Sequence, residues 1–166
     1  MKNIARRTGV LAATALSLGA LAAGLVGNSP ALAHEGECSF CSMPIIQNTA
    51  KQDNEVVLKA GSKHTDYRCV YCAMSEAHSD IKGDLSIVAP AEAKGKTVTI
   101  SRKAGKWTTS PASAVFVGAK VSHRYCQTGY RAVTSRKAFD TYVKQNKKIV
   151  GDARPLSLSQ MIALTK

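Results

Sequence analysis

The chain has no long-period repeat, no low-complexity tract and no long linker, which leaves no sign of a solenoid, a tail or a string of domains. Acidic residues are scarce, with 11 Asp and Glu against 23 Lys and Arg. Aromatic residues make up only 5% of the chain, and no aromatic–basic stacking motif is present. Together with the export signal described below, that argues against nucleic-acid binding. Neither cysteine pair is followed by histidine: Ser42 and Ala73 stand after the second cysteines, so a c-type haem is excluded. No small-residue lipobox precedes Cys38, because Glu35-Gly36-Glu37 stands there, and lipidation of Cys38 is not expected. No set of residues suggests hydrolytic or redox catalysis with a substrate pocket, so the chain reads as a non-enzyme.

What is present begins with a targeting segment. Lys2, Arg6 and Arg7 precede an uncharged apolar run from Gly9 to Val26, and Ala31-Leu32-Ala33 gives the small-x-small pattern of a cleavage site. Residues 1–33 therefore read as a signal peptide cleaved before His34, with an uncleaved anchor as the alternative. The paired arginines admit twin-arginine export, although Thr8-Gly9-Val10-Leu11 matches that signal loosely. The expected location is periplasmic or extracellular, with no stable membrane span after cleavage. Residues 34–166 then form one domain of common size, with 20 basic and 11 acidic residues and a net charge of +9. Such a charge suits acidic partners, anionic lipid or cell-wall polymers, or serves solubility alone. A domain of this length buries enough surface to fold without staples, which frees its five cysteines for chemistry.

Local patterns predict an α+β fold: a single small domain of mostly antiparallel strands with two or three helices. Glu55-Val56-Val57-Leu58 and Leu85-Ser86-Ile87-Val88 read as strands, with a turn at Gly61-Ser62-Lys63. Asp66 is the expected cap of a helix that starts near Tyr67 and carries Cys69 and Cys72. Thr97-Val98-Thr99-Ile100 and Trp107 flank a turn at Lys103-Ala104-Gly105-Lys106, which suggests a hairpin. Ala114-Val115-Phe116-Val117 reads as a buried strand, and Tyr130-Arg131-Ala132-Val133 as another. Ser135 caps a helix to about Asn146, and Ser157 or Ser159 begins a last short one.

The chemistry lies in two copies of C-x-x-C-x-M, Cys38-Ser39-Phe40-Cys41-Ser42-Met43 and Cys69-Val70-Tyr71-Cys72-Ala73-Met74. Soft sulfur donors grouped this way select Cu(I), Zn or Fe–S centres. Cu(I) accounts for thiolates and thioether together. The candidate ligands are Cys38, Cys41, Met43, Cys69, Cys72 and Cys126. Pro44 forces Met43 into an extended conformation, which puts Met43 and Cys41 on one side, whereas Met74 sits about 200° around a helix from Cys72 and reads as core. Cys126, beside His123, is a ligand, a transfer residue or a buried thiol. His34 at the mature N-terminus is a weak Cu(II) candidate, and His64 and His78 read as surface or capping residues. Two other classes remain open: a thiol–disulfide oxidoreductase, and a zinc- or disulfide-stapled interaction module, since 27 residues between the pairs suit a four-thiolate zinc site.

In order of motifs the chain resembles the NosL family, accessory proteins of nitrous oxide reductase maturation. The likeness rests on Cys38-Ser39-Phe40-Cys41-Ser42-Met43-Pro44, Cys72-Ala73-Met74, Ala114-Val115-Phe116-Val117, Gly129-Tyr130-Arg131-Ala132-Val133 and Lys137-Ala138-Phe139. It implies an α+β fold of ββα-type units, Cu(I) binding, and delivery of copper to an extracytoplasmic copper enzyme or copper-delivery protein. Ser42 stands where the family usually has glycine, and Cys126 where it usually has methionine.

Overall fold

A computed structural model of the chain describes residues 36–45, 54–120 and 131–166. The expected signal segment, its cleavage before His34, and the candidates His123 and Cys126 lie outside the described residues.

The fold is α+β. Its strands are β1 (Gly36–Glu37), β2 (Pro44–Ile45), β3 (Val56–Ala60), β4 (Lys63–Tyr67), β5 (Leu85–Pro90), β6 (Thr97–Lys103), β7 (Lys106–Ser110), β8 (Val115–Gly118), β9 (Arg131–Val133) and β10 (Arg154–Leu156). Its helices are α1 (Val70–Ser79), α2 (Arg136–Gln145), α3 (Lys147–Val150) and α4 (Leu158–Thr165). Two or three helices were expected. The fourth is α3, a single turn that continues from α2 across Asn146 and has no amphipathic period of its own.

Five strands form one antiparallel sheet in the order β4-β3-β5-β6-β7. Along β5 burial alternates residue by residue, with Leu85, Ile87 and Ala89 inward, as period two requires of a sheet with one covered face. The β6–β7 connection is the expected two-residue hairpin: Ala104 and Gly105 both have positive φ, +46° and +77°, as a type I′ turn demands. Helix α1 crosses the sheet over β3, β4 and β5 and packs against α4. Its last turn is held by Arg102 on β6, whose guanidinium donates to the carbonyls of Ala77 (2.9 Å), Ile81 (2.6 Å) and Gly83 (2.9 Å). Cations near helix C-terminal carbonyls satisfy acceptors that have no partner inside the helix.

A second antiparallel sheet has the order β10-β8-β9. Strand β8 is the apolar run read from the sequence, and it is apolar because both faces are covered. Phe116 enters the main core, while Val117 joins a smaller cluster with Phe139, Tyr142 and Val150 of α2 and α3. Thus β3–β4–α1 and β8–β9–α2 are both antiparallel pairs followed by a helix, the ββα arrangement. The Ser135 hydroxyl accepts from Ala138 N at 3.1 Å, and Ser157 with Gln160 forms a capping box on α4.

One expectation fails where the site begins. Asp66 is not a helix cap: it lies in β4, paired with Val57, and the helix starts only at Val70 with Cys69 as its N-cap. The shift of three residues decides how the second cysteine pair is presented.

Candidate metal centre

The first cysteine pair sits on a tight loop between β1 and β2. Gly36 pairs with Ile45 and Glu37 with Pro44, which leaves Cys38 to Met43 to turn the chain round. Within the loop Cys38 N donates to Met43 O (2.9 Å) and Ser42 N donates to Cys38 O (2.8 Å). The turn requires a left-handed residue, and Ser42 fills that position with φ +54°. A side chain there costs roughly 1–2 kcal/mol relative to an unstrained backbone. Ser42→Gly is therefore expected to stabilise the protein by up to about 1 kcal/mol, less than the full strain because glycine also loses more entropy on folding. A urea midpoint measured on both proteins reads this directly, and an unchanged or lower midpoint counts against the strained turn.

The second pair sits at the start of α1. Cys69 is extended (φ −151°, ψ 163°) and its side chain makes no capping hydrogen bond, while Cys72 occupies the third helical position. Three clamps hold the loop against this helix start. Ser39 N and Oγ reach the Asp66 carbonyl (3.5 and 3.4 Å), and the Arg68 guanidinium donates to Pro44 O at 2.7 Å. Phe40 and Tyr71, the residues before each second cysteine, pack edge to face with ring centroids 6.5 Å apart. Such a pair contributes on the order of 1 kcal/mol beyond its buried area.

The sulfurs of Cys38, Cys41 and Cys72 all lie within 4.8 Å of one another, and this group of three can hold a metal ion. Cys72 is the hub. It is fully buried, its Sγ lies 3.7 Å from that of Cys41, and the Cys69 Sγ lies 3.4 Å from it. Cys69 is not part of the group of three. All four are thiols, without a disulfide among them. All four are also buried, Cys41 being the most exposed at 7%.

The electrostatics of the loop are uneven. A hydrogen bond from the Cys72 thiol is the largest influence on Cys38; burial opposes it, and the backbone N–H groups of Arg68, Cys41 and Phe40 add to it, so the Cys38 thiol is lowered from 9.0 to about 5. Burial pushes the Cys41 thiol up. A sulfur that accepts several N–H bonds is prepared as a thiolate, the form that ligates metal. Because the folded value of Cys38 is depressed, the unfolded chain binds more protons between about pH 5 and 9. Stability of the metal-free protein must then rise with pH across that window and fall away as pH drops toward 5. The raised Cys41 acts only above its unfolded value. His78, lowered by burial and by Arg102, adds the same sign only below its ordinary 6.5. Urea unfolding of the reduced protein should show a gain of more than about 1 kcal/mol from pH 6.5 to 8.5, lost in Cys38→Ala. A flat profile there counts against the thiolate.

Among the remaining candidates, Met43 is half-buried and packs against the core cluster that contains the four cysteines. Met74 is fully buried in the core, in keeping with the helical geometry read from the sequence. His64 is exposed on β4, and His78 stacks on Trp107 at 5.1 Å, so neither joins the thiols. Cys126 lies outside the described residues. Arg68 and Ser39 are supporting residues that sequence reasoning missed. Their only signal was position, one residue before Cys69 and one after Cys38, and nothing local shows that both would reach across to the opposite segment.

No protein-family model matches the chain, and no curated protein matches it. Among solved structures, the crystal structure of the mercury-bound form of MerB2 is similar, with a TM-score of 0.55 and 14% sequence identity over 66% of this chain. The matched region spans 55% of the MerB2 chain, about half its length. At this identity the likeness is one of fold.

Proposed function

We propose that this protein is an exported Cu(I) carrier of the NosL type, which holds copper as cargo on cysteine thiolates and passes it to an extracytoplasmic copper enzyme or delivery protein. The observation that supports this most is the convergence of Cys38, Cys41 and Cys72, from segments 27 residues apart, on one buried point. Three soft donors in low coordination suit Cu(I). Half-buried Met43, on the same loop as Cys38 and Cys41, supplies a weaker thioether, the ligand that an acceptor's sulfur or imidazole displaces first. Burial of the thiols shields Cu(I) from water, while Ser39, Phe40 and Ser42 keep the loop the exposed end. A fold neighbour solved in a mercury-bound form is in keeping with a thiophilic metal here. The protein acts as a carrier and not as an enzyme, from the periplasm or outside the cell.

One observation favours zinc as a second reading. A four-thiolate Zn site with Zn–S bonds of 2.3 Å has sulfur–sulfur edges of about 3.8 Å. The 3.7 Å contact of Cys41 with Cys72 approaches that value, and Cys69 at 3.4 Å from Cys72 supplies a fourth thiol. Titration of the reduced mature protein with Cu(I) against bathocuproine decides between them. The copper reading expects one Cu(I) withheld from the chelator and a clear loss of affinity in Cys41→Ser. No competition by the parent protein, or one zinc retained through purification and dialysis, would contradict it.

A further inference from the structure

We propose that Cys69 is not a resident metal ligand but the partner of Cys72 in a reversible disulfide, so that oxidation and metal compete for the Cys72 sulfur. This rests on the metal-site reading above. The pair's Sγ atoms are 3.4 Å apart, closer than the 3.7 Å between Cys72 and Cys41. Cys69 is outside the group of three sulfurs that share a point, whereas Cys72 belongs both to that group and to the pair. The backbone explains the approach. An extended N-cap residue directs its side chain back over the first turn, toward the backbone N–H groups of the second and third helical positions. Cys72 is the third, so the Cys69 sulfur meets a sulfur where a serine or aspartate would meet an N–H. A thiol caps poorly, and the Cys69 side chain makes no capping hydrogen bond, so the residue is ill suited to capping and well placed for reaction. Only Val70 and Tyr71 intervene, so the bond closes within one helical turn, whereas a Cys41–Cys72 bond would tie the loop to the helix.

Both sulfurs are almost wholly buried, which restricts the oxidant to a small one such as a peroxide. One thiolate of the pair attacks a peroxide oxygen, the O–O bond breaks, and sulfenic acid and hydroxide form, the hydroxide taking up the proton that the thiol lost to leave as water. The second thiol attacks the sulfenic sulfur, forming the S–S bond and expelling a second water. In sum two thiols and one hydrogen peroxide give one disulfide and two waters, and the two electrons lost by sulfur reduce the peroxide. Cys72 is then no longer available, the group of three is reduced to Cys38 and Cys41, and the metal is released. A thiol reductant restores the site.

The test treats reduced, metal-free mature protein with one equivalent of hydrogen peroxide, removes the excess with catalase, maps disulfides by peptide mass spectrometry and measures binding of Cu(I) and of Cd(II). The expected product is the Cys69–Cys72 disulfide, with metal affinity lowered by more than about a hundredfold and recovered on reduction. Cys69→Ser, which places a better cap at the helix start, should keep affinity within about threefold and retain its metal at the peroxide dose that empties the parent. Three results overturn the proposal: a Cys41–Cys72 or Cys38–Cys41 disulfide forming first, full affinity in the disulfide form, or a loss in Cys69→Ser as large as in Cys38→Ser. Untreated protein that binds Cd(II) but not Cu(I) refutes the copper reading instead, and the Cd(II) readout still tests the pair.

Discussion

Cys72→Ser is expected to lower Cu(I) affinity by more than about a hundredfold, about 2.8 kcal/mol or more, while the protein stays folded. Loss of a residue that only supports a metal ligand already costs 10–100-fold, and Cys72 is placed as a ligand in its own right. Its Sγ is 3.7 Å from Cys41 and 3.4 Å from Cys69, and its thiol hydrogen-bonds Cys38. Serine is close in size and tolerated in the first turn of a helix, so the change removes the donor with little cavity. Bathocuproine competition reads the affinity, and far-ultraviolet circular dichroism checks the fold. An affinity within threefold of the parent would mean that the metal sits elsewhere.

The second large effect is on stability. The thiols that can hold a metal come from two separate segments, the loop from β1 to β2 and the start of α1. The unfolded chain does not hold them together, so binding free energy becomes folding free energy. With free Cu(I) at a thousand times its dissociation constant, the folded state should gain about 4 kcal/mol. For a domain of this size that corresponds to a rise in Tm on the order of 15 °C. Differential scanning calorimetry with and without Cu(I), and after chelation, measures it. In Cys72→Ser the rise should shrink to about a third or less. Equal shifts in both proteins would place the stabilising metal away from these thiols.

Much of this was legible before the structure. The strand at Ala114–Val117 announced itself as an unbroken apolar run because Phe116 and Val117 serve cores on opposite faces. The turn at Lys103–Lys106 and the cap at Ser135 were legible because local backbone chemistry decides both. Strand β4 was not. It is an edge strand, and Lys63, His64 and Asp66 give it polar positions that blunt an edge but erase the hydrophobic period. Asp66 then looked like a better cap than Cys69, and the helix was placed three residues early. Strand β10 was hidden similarly, because Pro155 reads as a breaker yet is tolerated on an edge.

The site divides in the same way. Spacing alone marked both cysteine pairs, and helical geometry marked Met74 as a core residue. What spacing could not convey was the inequality among the four thiols. Cys72 is the hub and Cys69 its neighbour only because one is helical and the other an extended N-cap, a distinction set by where β4 ends. The clamps from Ser39 and Arg68 are long-range contacts to backbone carbonyls, and a carbonyl carries no residue-specific signature.

The central claim is that Cys38, Cys41 and Cys72, drawn from the two cysteine pairs, bind one soft metal ion through sulfur. Copper K-edge X-ray absorption of Cys126→Ala protein loaded with one equivalent of Cu(I) tests it most directly, since the thiols left are then those of the two pairs. The account predicts a first shell of about three sulfurs and no light-atom ligand. A shell of nitrogen or oxygen, or one left unchanged by Cys72→Ser, would contradict it.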